Sequence, residues 1–359
     1  MPRPTMVDYV HETPSVIRSQ IENNVAHPLV DAFAEGSFSR VRIVACGSSR
    51  NASLIARPYL RRALGREVII TEPYTFCTYE HELPADEFCF VVSQSGYSTN
   101  ALAALDIIRA AGRTAIGVTG DPASDFREAS DLLVAYGVGE ELVGYVTKGV
   151  TSFATFLMLF GAGVAASEGR LDPASLRADI ETMLGQFEAV ADQVPGMLAA
   201  RYKELSTMER VFLIGAATNL GVASEGALKF AECLQIPACA YELEEYLHGP
   251  NLQLSPDYTI FLFAVGERSW KRSAEILAAT KLVTDRTFVI TDCPDMDADI
   301  RLAPGGDELV GPMAALPVVQ MLAWQLTEDK HLWHKHPLVA RFDAALSGKS
   351  ENYVDKEVL

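Results

Sequence analysis

Phe88-Cys89-Phe90-Val91-Val92-Ser93-Gln94-Ser95-Gly96-Tyr97-Ser98-Thr99 is the stretch that decides the fold. Five apolar, β-favouring residues run without a polar interruption, which suits a strand buried on both faces. Serines, a glutamine and a glycine then break the run, and Ser98-Thr99 caps a helical pattern that lasts to Ala111-Gly112. A buried strand that turns through a short polar loop into a helix is the repeating unit of a parallel α/β sheet.

The same unit recurs on both sides. Val41-Arg42-Ile43-Val44-Ala45 reads as a strand ending in Cys46-Gly47-Ser48-Ser49, followed by a helix over about 50–64 with Pro58 as a kink or a boundary. Residues 67–71, 114–118 and 132–135 read as further strands, and 6–33 has helical periodicity broken at Pro14 and Pro28. Downstream, 211–214 ends in Gly215-Ala216-Ala217-Thr218-Asn219 and a helix, 258–263 ends in Ala264-Val265-Gly266 and a helix, and 288–291 matches the fourth strand. The offsets are 168 (Gly47 to Gly215), 170 (Gly96 to Gly266) and 172 (Thr119 to Thr291). The expected fold is therefore α/β: two tandem, doubly wound, flavodoxin-like three-layer αβα domains with parallel sheets. The competing reading is two unrelated α/β domains that share a strand–Gly–helix habit. Expected boundaries are 1–35 for an N-terminal helical segment, 36–166 and 207–330 for the two domains, 167–206 for a helical linker and 331–359 for a tail.

With 359 residues, 49% of them hydrophobic, the chain can bury a large core without disulfides or structural metal. A net charge of −17 repels phosphate backbones and speaks against a nucleic-acid partner. Six scattered cysteines (46, 77, 89, 233, 239, 293) form no CxxC pair and read as reduced, mostly buried thiols, hence a cytoplasmic location. The N-terminus has no apolar core of a signal peptide, and the longest apolar run, 153–166, is shorter than the roughly 20 residues of a membrane helix. No membrane partner is expected.

Ser93-Gln94-Ser95-Gly96-Tyr97-Ser98-Thr99 lies where first-turn N–H groups lack partners and carry partial positive charge, so the position suits an anion. Ser48-Ser49 ends the neighbouring strand in the same way, and both loops would meet at the carboxyl edge of the sheet. Plain turn chemistry explains the same serines. The second copy tilts the balance: it has Phe263-Ala264-Val265 where the first has Ser93-Gln94-Ser95, so only the first half is expected to hold phosphate. Neither GxGxxG after a strand nor GxxxxGK[ST] is present, which disfavours a dinucleotide or P-loop nucleotide.

In the second half, Gly221-Val-Ala-Ser-Glu225-Gly-Ala-Leu-Lys229-Phe-Ala-Glu232-Cys-Leu-Gln-Ile-Pro237 is helical up to the proline. At 100° per residue Glu225, Lys229 and Glu232 share one wedge, with Ala223, Ala227, Phe230 and Leu234 on the opposite, core-facing side. The wedge is either an acid/base cluster or a solvated face with an i,i+4 ion pair. His248, before Gly249-Pro250, sits on a loop or helix end. His331-Leu-Trp-His334-Lys-His336 fits no standard metal site and reads as a surface segment.

Jointly, the twofold layout and the motifs ACGSS, SQSGYS, EGALKFAE and YLHGP, in that order over roughly 6–330, resemble the double-SIS (sugar isomerase) family, as in the isomerase half of glucosamine-6-phosphate synthase and in fructosamine-6-phosphate deglycases. The resemblance implies that Ser49, Ser93, Gln94, Ser95 and Ser98 bind a sugar phosphate, with Gly47, Ser48, Thr147, Lys148 and Glu225 as weaker candidates near the sugar. Thr147-Lys148 would match the family's STK segment. Glu232 would move a proton between C1 and C2, Lys229 would match the lysine one turn before that base, and His248 would open the ring from a neighbouring subunit. A homodimer or higher homo-oligomer with a composite site follows, with no cofactor and no metal. The chain starts Met-Pro, without the synthase's glutaminase domain and its N-terminal cysteine, so full synthase activity is not expected. Tyr97 stands where the synthase has an acidic residue, and in the tail from His336 to Lys349 the synthase's sugar-site lysine has no assigned match.

The implied function is a phosphosugar-processing enzyme. Its reaction would be aldose–ketose isomerisation, or deglycation or deamination of a 6-phosphorylated (amino) sugar, through an enediol or enolamine. The alternative is a non-catalytic sugar-phosphate sensor, which the Glu232/His248 pair and the lack of a helix-turn-helix extension disfavour.

Overall fold

Strands form where β-branched and aromatic residues cluster, and they stop where glycine, serine or threonine follows. The computed structural model describes residues 4–334, 336–346 and 348–354. The chain runs α1 (Met6–Glu22), α2 (His27–Ala34), β1 (Arg40–Val44), α3 (Gly47–Leu64), β2 (Glu67–Thr71), α4 (Pro73–Tyr79), β3 (Glu87–Ser93), α5 (Thr99–Ala110), β4 (Ile116–Thr119), α6 (Phe126–Ala129), β5 (Leu132–Ala135) and α7 (Lys148–Ser167). It continues through α8 (Pro173–Ala200), α9 (Tyr202–Ser206), β6 (Val211–Ile214), α10 (Thr218–Lys229), a π-helical turn (Phe230–Leu234) and β7 (Ala238–Tyr241). The remaining elements are β8 (Thr259–Ala264), α11 (Glu267–Thr280), β9 (Thr287–Thr291), β10 (Ile300–Arg301), α12 (Leu316–Lys330) and α13 (Pro337–Ala345).

Two parallel five-stranded sheets result, ordered β2-β1-β3-β4-β5 and β10-β9-β8-β6-β7. Read from its other edge, the second repeats the first, and both have the flavodoxin-like order. Ser15–Pro173 and the residues from His334 onward form one compact unit around the first sheet. The residues up to Pro14 and Ala174–Trp333 form the other. The first and third strands of each unit flank a switch point, β1/β3 in one and β6/β8 in the other. All seven residues of β3 and all six of β8 are buried, as central strands covered on both faces should be.

Several local expectations change. Pro14 lies inside α1 rather than ending it, and the Thr13 hydroxyl donates to Tyr9 O there at 2.8 Å. Burial of Met6, Tyr9, Val10 and Ile17 holds the helix through the missing N–H. α3 begins at Gly47, so Ser48 and Ser49 belong to its first turn rather than to a preceding loop. The apolar run 153–166 lies in α7, the one helix among the described residues long and apolar enough to cross a membrane; 83% of its apolar window is buried in the protein. Of the cysteines, Cys89, Cys233 and Cys293 are buried, Cys77 is half-buried, and Cys46 and Cys239 are exposed.

The two sheets also fix the register of the repeat. Val44 pairs with Val91 in the first sheet and Ile214 pairs with Leu262 in the second. The next residue of each, Ala45 and Gly215, donates its N–H to the last residue of the neighbouring strand, Thr71 or Tyr241. This makes Ala217, not Gly215, the counterpart of Gly47. It sets Ala264-Val265-Gly266 opposite Ser93-Gln94-Ser95. Gly47 has φ +57 and Ala217 has φ +52, so an alanine occupies a left-handed position that the first copy fills with glycine.

Candidate functional site

The first unit carries a cavity of about 750 Å³ at the β1/β3 switch point. Its wall includes Cys46, Ser48 and Ser49 after β1 and Ser93, Gln94, Ser95, Tyr97 and Ser98 after β3. The two serine segments therefore meet in one place. Val92, residues 120–122, residues 138–144, Val146 and, from the tail, Lys349 and residues 352–354 complete it.

The serine loop is organised by its own hydroxyls. Ser93 Oγ accepts from Gly96 N at 3.1 Å and donates to Ser98 Oγ at 3.2 Å. Ser95 Oγ accepts from Tyr97 N at 3.4 Å. Gly96 has φ +70, and a Cβ there would meet Ser124 Oγ at 1.8 Å, so the loop admits no side chain at that position. Ser98 occupies the N-cap of α5 without a side-chain cap bond. The Gly348 carbonyl accepts from Thr99 N instead, at 3.1 Å. This corrects the plain capping role expected of Ser98.

That carbonyl belongs to a tail segment that makes an isolated antiparallel bridge to the loop, Lys349 to Ser98, with Ser350 N donating to Tyr97 O at 2.9 Å. Lys349 Nζ donates to Ser95 Oγ at 2.7 Å and lies 5.1 Å from the centre of the Tyr353 ring. The Tyr353 ring packs against Tyr97 at 5.7 Å. Arg50, Lys148 and Lys229 do not line the cavity. Arg50 pairs with Glu72 at 2.5 Å, Lys148 is 2% exposed, and Lys229 belongs to the other unit. The lysine that reaches the serines was missed because it lies 254 residues away in sequence from Ser95. Its sequence signal was the tail from His336 to Lys349, where the resemblance calls for a sugar-site lysine without fixing which residue supplies it.

Thr147 and Lys148 start α7 and are buried. Neither they nor Gly47 are part of the cavity wall. Their backbone N–H groups donate to Glu141 Oε1 at 2.7 and 2.8 Å, and Gln94 Nε2 donates to Glu141 Oε2 at 2.8 Å. Burial pushes the Glu141 carboxyl above its ordinary pKa, although Gln94 and the two N–H groups pull the other way.

In the second unit Glu225, Lys229 and Glu232 do come together. Lys229 Nζ is 3.3 Å from Glu225 Oε1 and 2.5 Å from Glu232 Oε2. Lys229 and Glu225 are fully buried, which overturns the solvated-face alternative. Burial alone would lower the pKa of the Lys229 ammonium, but the carboxylates of Glu225 and Glu232 outweigh it and the net shift is upward. Lys229 is thus a fixed cation, and Glu232, whose side chain is 29% exposed, is the member that solvent or a ligand can reach. Glu232 lies not on a regular α-helix but in the π-helical turn, a feature frequent at functional sites. His248 follows a 3₁₀ turn and is exposed. Its Nδ1 lies 2.7 Å from Glu244 O and is the donor there, so in the neutral ring Nε2 is the basic nitrogen. In the His-rich tract, Lys335 lies outside the described residues, as do Ser347 and 355–359 of the tail.

Residues 204–327 match the SIS domain. Over 345 residues, or 91% of its length, the chain is 25% identical to the glutamine–fructose-6-phosphate aminotransferase (isomerizing) of Gloeobacter violaceus, covering 56% of that protein. Over 332 residues, or 88% of its length, it is 26% identical to the enzyme of the same name from Rhizobium meliloti, covering 54% of it. The chain thus spans about half the length of these curated relatives. Among solved structures, the C-terminal domain of glucosamine-fructose-6-phosphate aminotransferase from Francisella tularensis superposes with a TM-score of 0.81 at 18% identity, over 92% of this chain and 97% of that one. Glucosamine-6-phosphate deaminase from Thermotoga maritima gives 0.70 at 19% identity, over 98% and 99%. The second sheet lies within the SIS-domain match, and over nearly its whole length the chain has the fold of the C-terminal domain of glucosamine-fructose-6-phosphate aminotransferase.

Proposed function

We propose that this protein is an enzyme acting on a 6-phosphorylated sugar or amino sugar, by aldose–ketose isomerisation or by deglycation. The observation that carries the proposal is the serine-lined cavity at the β1/β3 switch point with Lys349 directed onto Ser95. Hydroxyls of Ser49, Ser93, Ser95 and Ser98, the Gln94 amide, first-turn N–H groups of α3 and α5 and one ammonium form a donor set for a dianion. At this short range they outweigh a net charge of −17 spread over the surface. The second copy, with Ala264-Val265-Gly266 at the matching place, lacks that set.

The phosphate anchors the substrate, and its binding energy, remote from the reacting carbons, serves to position them. His248, with Nε2 as the base, takes the proton of the anomeric hydroxyl and delivers it to the ring oxygen as the bond between the anomeric carbon and that oxygen breaks. Glu232 then removes a proton from one of C1 and C2 and returns it to the other, by way of an enediol or enolamine. Lys229 keeps its proton and stabilises the negative charge that develops. With an N-substituted fructosamine, the enolamine tautomerises to an imine, and addition of water releases the amine and leaves the sugar phosphate. The acid/base residues belong to the same chain or to a second copy, as the expected homo-oligomer would allow. A cytoplasmic location is part of the same proposal.

The test is solvent exchange. The protein is incubated in D2O with fructose 6-phosphate, glucosamine 6-phosphate or fructoselysine 6-phosphate, and C1 and C2 are followed by NMR. Deuterium entering C1 or C2 of one of them supports an enzyme. Saturable binding with no exchange into any of them refutes catalysis and leaves a sugar-phosphate sensor.

A further inference from the structure

Gln94 is held from both sides. Its Nε2 donates to Glu141 Oε2 at 2.8 Å, while Glu141 Oε1 is fixed by the N–H groups of Thr147 and Lys148 at the start of the 20-residue α7. On the other side it sits against Gly149, where a Cβ would lie 2.1 Å from Gln94 Oε1 and 2.6 Å from Nε2. Its backbone carbonyl accepts from Gly120 N at 3.0 Å.

A half-buried carboxylate in the wall of a cavity suited to an anion calls for an explanation, since its charge repels that anion. We propose that Glu141 is a positioning residue: it fixes the side-chain amide of Gln94 so that the NH2, not the carbonyl oxygen, lies toward the cavity wall, with its second N–H left for a phosphate oxygen. This deepens the function proposed above and rests on it, because it takes Gln94 to be a phosphate ligand. One N–H of the amide is spent on Glu141, and the missing side chain at Gly149 makes the room in which the amide sits. Glu141 contacts the ligand only through Gln94.

The sign of the effect separates positioning from simple charge. Glu141→Gln removes a negative charge near the anion, which by electrostatics alone should tighten phosphate binding. With positioning, an amide at 141 that turns its NH2 toward Gln94 makes Gln94 rotate and present its oxygen to the phosphate. Affinity should then fall about tenfold or more, the scale of a lost hydrogen bond to a charged group.

The experiment is calorimetric titration of the full chain with inorganic phosphate and with fructose 6-phosphate. The variants are Gln94→Ala, Glu141→Gln, the double variant and Gly149→Ala, with thermal melts confirming that each is folded. Expected are weaker binding in each single variant and a double variant no weaker than Gln94→Ala, because Glu141 acts only through that side chain. Gly149→Ala displaces Gln94 without touching Glu141, and it tests the positioning if Glu141→Gln does not fold. Unchanged or tighter binding in Glu141→Gln, or additive losses in the double variant, overturns the positioning role alone. Unchanged binding in Gln94→Ala overturns it together with the assignment of Gln94 as a ligand.

Discussion

The Lys349 ammonium donates to the Ser95 hydroxyl across 2.7 Å, joining the C-terminal tail to the loop between β3 and α5. It places a positive charge in the wall of a cavity whose other polar side chains are hydroxyls, amides, a thiol and carboxyl groups. Lys349→Met keeps the aliphatic stem and removes the charge. Affinity for a hexose 6-phosphate should drop about tenfold or more, as for a lost charge-assisted hydrogen bond. Titration calorimetry of the folded variant measures this, and an unaltered dissociation constant would remove Lys349 from the site.

In the proposed reaction Glu232 moves the proton, and Lys229 holds its carboxylate at 2.5 Å. Glu232→Gln preserves the shape and the contact but cannot take a proton. Sugar-phosphate binding should persist while the exchange of substrate hydrogen with solvent falls by orders of magnitude, on the scale of about 10² to 10⁴ for general acid–base catalysis. Wild-type exchange rates in this variant would end the proton-shuttle assignment.

Much of this was legible in the strand–loop–helix pattern, and the failures have physical causes. Buried strands such as β3 and β8 announce themselves by unbroken apolar runs. β7 was missed because Ala238-Cys239-Ala240-Tyr241, directly after Pro237, is short and none of its residues is buried. β10 has only two residues. The Glu225–Lys229 spacing is the same for a surface pair and a buried one, and only the packing of α10 among its neighbours decides which it is. Lys349 and Glu141 required tertiary structure. One is far from the loop in sequence, and the other was part of a run, Gly139-Glu140-Glu141, that carried no motif. The repeat offsets were sound to within two residues, and strand pairing moved the partner of Gly47 from Gly215 to Ala217.

That shift has a consequence for stability. Ala217 takes φ +52 and ψ −121 at the start of α10, a conformation that favours glycine. Ala217→Gly removes the strain at the expense of a looser unfolded chain, and the relief should dominate by about 1 kcal/mol. Thermal melting should show a rise of a few degrees, whereas a lower melting temperature would mean that the methyl group packs usefully there.

Thiol reactivity should follow burial. The Cys233 thiol is pushed up to about 12, chiefly by burial, with Glu232 and Glu225 adding to the effect and Lys229 opposing it. Burial also raises Cys89 and, more weakly, Cys77. A raised pKa leaves little thiolate at pH 8, and the thiolate is the reactive form. Iodoacetamide at pH 8, followed by peptide mass spectrometry, should modify Cys46 and Cys239 first, Cys77 later, and Cys89, Cys233 and Cys293 last. Labelling of Cys233 as fast as Cys46 would contradict the buried placement of the Glu225–Lys229–Glu232 cluster.

The most direct test of the central claim is a crystal structure with fructose 6-phosphate bound. The predicted result is a phosphoryl group within hydrogen-bond distance of Ser93, Ser95, Ser98 and Gln94. An empty serine-lined cavity in a crystal that holds the sugar elsewhere, with its phosphate on another surface, would contradict the account.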